Sequence, residues 1–351
     1  MQNRKSPLVK KTPSRPTIKD VAAAADVSLA TVSNVINGKS SSVGEKTRKR
    51  VQRAIDKLGY RPQSAGRRLR TSRRHSIAMV IVDESEAYLT DGFAANMVPG
   101  FTDTLNHRGY SAVIHGCRRD EFGKSVVVQN LEVDAYCMFL SGTVSERQAI
   151  TLQIEALHQP VCLVEETAIP QSPDFAVVRQ DDFGGGRQLA DHLLARNAKH
   201  ILFLMPELVW PAIEARVAGM RDGLKSAGSN AELTLLKTPS EKFDEVIATL
   251  SAYLETHPKP DAIACANDQM GIAAMQALES HQLKIPSDVM VTGFNGFEYR
   301  RYAKPLLTSV KSSARELGIA AAEILIERVE NGAFKTNEIL LPTSLLLGES
   351  T

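Results

Sequence analysis

From Ser76 onward the chain repeats one pattern, a short apolar run of strand length followed by an amphipathic helical stretch. The strand candidates are SIAMVIV, YSAVIH, AYCMFL, PVCLVE, FAVV, HILFLM, DAIACA and VMVTGF. Helices such as GRQLADHLLARNA, RVAGMRDGLKSAG, NDQMGIAAMQALESHQ and SARELGIAAAEILIERVENG lie among them. Regular alternation of this kind predicts parallel sheets covered on both faces, because each crossover helix buries its apolar stripe on the sheet it spans. The pattern fills residues 76–351, more than one such sheet accommodates, so two lobes are expected. Ligands of such folds bind beyond the carboxyl ends of the strands, here in the cleft between lobes.

The first 75 residues are a different polymer. The whole chain carries 42 Lys+Arg and 40 Asp+Glu, a net charge of +2. Residues 1–75 hold 19 of the basic and 4 of the acidic residues, a net of +15, which leaves −13 for the rest. A basic end on an acidic body points to an anion-binding module joined to something else. The longest apolar runs, such as Ile77–Val82, fall far short of the ~20 residues that span a bilayer. The opening MQNRKSPLVKKTPSR has no apolar core, so no secretory signal and no membrane association are expected. Cys117, Cys137, Cys162 and Cys265 lie in apolar contexts without a CxxC pair and read as buried free thiols of a reducing cytoplasm.

Within the basic segment, Pro7, Pro13 and Pro16 keep the first residues from forming a helix. Thr17 is a good N-cap for IKDVAAAA, with Asp20 in the first turn and Ile18, Val21, Ala22 and Ala25 on one face. Ser28 caps a second helix, LATVSNVIN, which ends at Asn37-Gly38 and turns Val32, Val35 and Ile36 inward. A third helix, about Glu45–Leu58, buries Val51, Ile55 and Leu58 and stops at Gly59. Two short helices joined by a tight turn and braced by a third form a helix-turn-helix, with Leu29, Ala30, Thr31, Ser33 and Asn34 facing outward.

TIKDVAAAADVSLATVSNVING…VGEKTRKRVQRAIDKLGYRP resembles the DNA-binding domain of lactose-repressor/galactose-repressor family regulators. The likeness continues through VRQDDFGGGRQLADHLL, ARVAGMRDGL, ANDQMGIAAMQAL, IPSDVMVTGFNG and PLLTSVKSSARELG, and so spans nearly the whole chain from Thr17. The resemblance implies a disordered basic arm over 1–16, a helix-turn-helix DNA-binding domain over 17–61 and a hinge helix with linker over 62–75. Residues 76–351 become a two-lobed effector-binding and dimerisation domain like a periplasmic binding protein. The expected fold class is α/β with an all-helical N-terminal domain.

The resemblance also implies roles for single residues. Leu29 and Ala30 touch thymine methyls and Asn34 pairs with adenine, while Thr17, Thr31, Ser33 and Tyr60 hold phosphates, with Ser28 counted among the DNA-contacting set. In the hinge, QSAGRRLRTSRR, Arg67 and Arg70 meet phosphate and Leu69 wedges into the minor groove. Gly66 replaces the more usual Ala there and loosens that helix by about 0.5–1 kcal/mol. In the body, Tyr88, Leu89, Trp210, Arg216, Asp268 and Asn295 fall at effector positions. Asp268 also reads as an N-cap, Tyr88 as a core packer, and Trp210 equally as packing or as a stacking surface in a loop. Two departures blur the ligand. Asn295 stands where the family carries aspartate, and Glu165-Glu166 where it often carries an Asp-Arg pair.

Nothing points to catalysis. Gly184-Gly185-Gly186 lacks the dinucleotide spacing because Leu189 occupies the third glycine position, and there is no GxxxxGK[ST], GxSxG or HExxH. The eight histidines have no metal-ligand spacing, and no cofactor is expected. The reading is therefore a cytoplasmic homodimeric regulator, a repressor rather than an activator. It binds double-stranded operator DNA and answers to a small molecule (a sugar, sugar acid or nucleobase-like compound). The competing reading is a sugar-binding protein or enzyme with an incidental basic tail.

Overall fold

The structure is a computed structural model that describes residues 16–36, 43–61, 73–84, 88–129, 131–168, 170–208 and 210–351. The chain divides into two compact units, Met1–Arg74 and His75–Thr351. Asn37-Gly38 and the hinge residues Gly66, Arg67, Leu69 and Arg70 lie outside the described residues.

The first unit holds helices α1 (Ile18–Ala25), α2 (Leu29–Ile36) and α3 (Glu45–Leu58). Thr17 opens α1 with a reciprocal capping box: its backbone N–H donates to the Asp20 carboxylate at 2.7 Å and its hydroxyl accepts from the Asp20 N–H at 3.4 Å. Asp26 ends α1 in the left-handed region, φ 46, which turns the chain sharply into α2. Ser28 accepts from the Thr31 N–H at 3.1 Å, and Gly59 closes α3 at φ 60, where a side chain would be strained. Val21, Ala22, Ala25, Val32, Val51, Ala54 and Tyr60 form the core, with Ile55 and Leu58 only partly buried against it. The small alanines matter because helices this short have room for only one layer of contact.

The second unit contains two six-stranded sheets. The first has the order β11-β5-β4-β3-β1-β2, built from β1 (Ser76–Asp83), β2 (Ser111–Arg118), β3 (Ala135–Leu140), β4 (Val161–Val164), β5 (Phe175–Gln180) and β11 (Glu338–Leu341). The second has the order β12-β10-β9-β8-β6-β7, built from β6 (His200–Pro206), β7 (Glu232–Thr238), β8 (Ala262–Cys265), β9 (Met290–Asn295), β10 (Thr308–Lys311) and β12 (Ser344–Leu346). Every pair is parallel except β10–β12. Helices α4 (Gly92–His107), α5 (Val126–Gln129), α6 (Val144–Glu155) and α11 (Ala314–Asn331) serve the first lobe. Helices α7 (Asp182–Leu194), α8 (Pro211–Ser226), α9 (Phe243–Thr256) and α10 (Asp268–Ser280) serve the second. The chain crosses between lobes after β5, after β10 and after β11, so neither lobe is one continuous segment.

Four strands escape the apolar pattern. β7, β11 and β12 lie at sheet edges with one side open, and β10 is TSVK, whose buried Thr308 and Ser309 are hydrogen-bonded rather than apolar. Edge position also corrects one cysteine: Cys137, Cys162 and Cys265 are buried, but Cys117 on edge strand β2 is only partly so. Among the described residues no helix is long and apolar enough to cross a membrane, and no cluster of His, Cys, Asp or Glu is arranged to hold a metal ion.

Candidate DNA-reading surface and ligand cleft

On the headpiece, Leu29 is 45% exposed although it is a large apolar residue, and Ala30 beside it is exposed too. Thr31, Ser33 and Asn34 are half-buried along α2, and the Ser28 and Thr31 hydroxyls stand 2.9 Å apart. Thr17 is exposed at the start of α1. Tyr60 is placed differently: it is buried in the headpiece core, so its ring serves the fold.

In the body, the construction begins with the glycine run. A Cβ at Gly186 would stand 2.0 Å from the Arg216 carbonyl oxygen, and one at Gly219 would stand 1.9 Å from that of Phe183. These glycines let α7 and α8 cross backbone to backbone, which explains the run without a nucleotide. The crossing sets Arg216, only 5% exposed, against the start of α7. Its Nε donates to Asp182 Oδ1 at 2.8 Å, its Nη1 donates to the Ala266 carbonyl at 2.5 Å, and its guanidinium lies 3.7 Å from the centre of the Phe294 ring. Each partner satisfies a donor or face of a cation that burial alone would make costly.

Asp182 in turn accepts from Gln180 Nε2 at 3.1 Å, and Gln180 Oε1 accepts from the Ser312 hydroxyl at 2.9 Å and the Ser313 N–H at 3.0 Å. One buried chain of bonds therefore joins Arg216 to two of the three crossovers. Glu165 follows β4 with φ 60 and accepts from the Gln180 N–H at 3.1 Å. Burial, then Asp182, pushes its carboxyl well above the ordinary range; burial also raises Asp182, against the pull of Arg216. Glu166 is separate, paired with Arg147 at 2.6 Å inside the first lobe.

The expectation that Asp268 caps its helix is corrected. Asn267 is the cap, its Oδ1 accepting from the Met270 N–H at 2.9 Å. Asp268 is fully buried and accepts from the Phe297 N–H at 2.9 Å and from the Ser309 hydroxyl, tying α10 to the β9–β10 connection. Burial lifts its carboxyl to about 7. Asn295 ends β9 at φ 101, is 9% exposed, and its Oδ1 has no partner among the described residues. Arg216, Asp268 and Asn295 thus gather at the carboxyl end of the second sheet.

Trp210 lies at the end of the loop after β6, at the cap position of α8, partly buried against the second-lobe core, and its indole N–H is buried without a partner among the described residues. Tyr88 belongs to a different pocket. Its ring covers Gly116, and with His115, Cys117, Glu121 and Ser125 it lines a cavity of about 530 Å3 on the edge strand. Leu89 is exposed.

Two carboxyls escaped sequence reading. Glu241 follows the overlooked strand β7; its side chain bonds Asn267, and burial followed by Asp91 pushes its carboxyl up to about 8. Asp91 caps α4, accepting from the Ala94 N–H at 2.8 Å; it is exposed, yet desolvation by the surrounding walls and the nearby Asp83 raise it. The N-cap pattern before Gly92 was the available signal for Asp91. Nothing local marks Glu241.

Residues 17–63 match the bacterial regulatory proteins of the lacI family, and residues 190–351 match the periplasmic binding protein-like domain. The chain is 29% identical to the HTH-type transcriptional regulator CelR of Thermobifida fusca over 341 residues, 96% of this chain and 98% of that one. The structure of a CelR–cellobiose complex is similar at 27% identity and TM-score 0.69, covering 96% of this chain and 100% of its own. The Lac repressor dimer bound to operator and the anti-inducer ONPF shares the fold, at 23% identity and TM-score 0.80, covering 96% and 99%. A helix-turn-helix headpiece followed by a two-sheet, periplasmic-binding-protein-like body defines a DNA-binding transcriptional regulator and not an enzyme. The chain belongs to the lacI family.

Proposed function

We propose that this protein is a cytoplasmic repressor whose grip on operator DNA is set by a sugar-like effector held between the lobes of its body. Two copies pair, and each headpiece enters a major groove of a pseudo-palindromic site. There Leu29 and Ala30 meet thymine methyls, Asn34 meets adenine, and Thr17, Ser28, Thr31 and Ser33 position the helix on phosphates, braced from within by Tyr60. The hinge segment, with Arg67, Arg70 and Leu69, follows the minor groove. Residues 76–351 carry the effector cleft and the dimer contact.

The observation that carries this reading is the buried chain from Arg216 through Asp182 and Gln180 to Ser312 and Ser313. An arginine at the cleft that is bonded to two crossovers feels any change in how the lobes close, which is what coupling between two sites requires. The relative solved with cellobiose supports a carbohydrate as the ligand class.

Deleting residues 1–75 tests the division of labour. Specific operator binding is expected to vanish while ligand-induced thermal stabilisation of the remainder persists, and persistence of operator binding overturns the reading. Affinity of the full chain should also fall steeply between ~50 and ~200 mM salt, because Lys and Arg displace counterions from phosphate.

A further inference from the structure

The two lobes of the body are joined by side chains as well as by crossovers. Phe297 and Tyr299 follow β9 and so belong by connectivity to the second lobe. Their rings nevertheless pack in the core of the first. Phe297 is buried in the cluster that holds Phe93, Ala94 and Met97 of α4, and Tyr299 is half-buried against the same cluster. Gly92, which opens α4, permits the approach: a Cβ there would stand 3.2 Å from the Phe297 ring and 3.3 Å from the Tyr299 hydroxyl. The two second-lobe rings meet edge to face at 6.0 Å, and in the first lobe Phe93 stacks on Phe139 at 5.6 Å.

The backbone that carries this aromatic pair is held to the second lobe by directed bonds. The Phe297 N–H donates to Asp268 Oδ2 at 2.9 Å, and the Ser309 hydroxyl donates to Asp268 Oδ1 while accepting from the Gly296 N–H at 3.1 Å. The Phe297 carbonyl accepts from the Arg300 N–H at 3.0 Å, and Arg300 Nη1 donates to the Leu307 carbonyl at 2.5 Å. Hydrogen bonds fix distance and angle, so the pair moves with the second lobe. Apolar contact with α4 is non-directional and can be broken and remade without leaving a polar group unpaired. A contact between two bodies that move against each other needs one firm end and one releasable end.

We propose that Phe297 and Tyr299 form a latch between the lobes, rooted on Asp268, and that Phe297 is a positioning residue whose seating against α4 sets the affinity of the headpieces for operator DNA. The latch is a route between the lobes separate from the Arg216 chain, which runs through the crossovers and starts at a different residue. Its effect on operator affinity rests on the regulator reading above; the latch itself does not.

The test uses the full chain without ligand and a duplex that the unaltered chain selects from a random-sequence pool. Phe297→Ala should speed hydrogen exchange at residues 92–97 by about 10-fold or more and shift operator affinity by a similar factor, while β1 and β8 keep their protection. Phe297→Leu, which keeps most of the apolar bulk, should recover most of both. Asp268→Asn leaves every ring in place, yet it should speed exchange at residues 92–97 in the opposite lobe, which a purely local role for Asp268 would not do. If Phe297→Ala loses strand protection as well, Gly92→Ala takes its place: it sets only a methyl against the ring and should shift both readings by a smaller factor. Exchange at residues 92–97 that stays unchanged in these variants overturns the latch. Faster exchange with unaltered operator affinity leaves a packing contact and overturns the positioning role. Failure of the unaltered chain to select any duplex overturns the regulator reading and the positioning role with it, while exchange still decides the latch.

Discussion

The headpiece and the body treat their functional side chains in opposite ways. On α2 the residues assigned to bases are left uncovered: Leu29 is 45% exposed and Ala30 is exposed. In the body the corresponding residues are buried and bonded, Arg216 to Asp182, Ala266 and Phe294, and Asp268 to Phe297 and Ser309. A surface that reads a large rigid partner needs only a stiff platform, since the partner supplies the missing contacts. A cleft that must report a small ligand to a distant place needs its groups bonded to what moves. Function is thus nearly separable from stability in the headpiece and inseparable from it in the body.

Substitutions can break this contrast. The largest effect is expected at Arg216→Ala, which leaves Asp182 buried without its cation and should cost the body about 3–5 kcal/mol in urea unfolding while abolishing any ligand response. Stability unchanged by that substitution would erase the distinction. Asn34→Ala on the headpiece should do the reverse. Operator affinity measured by anisotropy should fall by about 1–3 kcal/mol if the adenine pairing holds, with the headpiece melting as before.

A subtler difference lies in pH. The folded state holds Glu241 near 8 and Asp268 near 7, above the values of the unfolded chain, so both favour folding when protonated. That contribution is full below the unfolded values, about 4, and disappears as pH rises through about 7 to 8. Body stability should therefore decline across that window, and Glu241→Gln should flatten the decline. The headpiece should melt independently of pH there. Asp20 is the exception that marks its own window: bonds from Thr17 lower its carboxyl, so its help is present at neutral pH and fades only in acid. The smallest effect is expected at Thr17→Ala, about 1 kcal/mol of headpiece stability from loss of the cap, read in its thermal unfolding.

The sequence was most legible where neighbours in the chain do the work. The Thr17–Asp20 capping box, the Ser28 cap, the Gly59 stop and eight apolar strands are local events, and the structure contains each of them. It was least legible where distant segments meet. β10 reads as polar because its Thr308 and Ser309 hydroxyls are satisfied by Thr351 and Gly348 and by Asp268, far along the chain. Gly186 and Gly219 look like a nucleotide loop gone wrong and a random glycine until α7 and α8 are seen to touch through them. Asp268 looked like a cap because the cap, Asn267, is its immediate neighbour.

By itself, then, the sequence determined the class of each half: a basic trio of capped helices, and alternating strands and helices that must form covered parallel sheets. The charge split of +15 and −13 already separated the part that meets phosphate from the part that does not. Only the tertiary structure decided that Arg216 is bound to Asp182, that Gln180 links both to the crossovers, and that Glu241 is buried beside Asn267. The physical reason is range. Capping and periodicity act within a few residues, whereas burial and charge–charge energy depend on which segments fold against one another, and three crossings between lobes scatter the residues of the Arg216 network from Glu165 to Ser313.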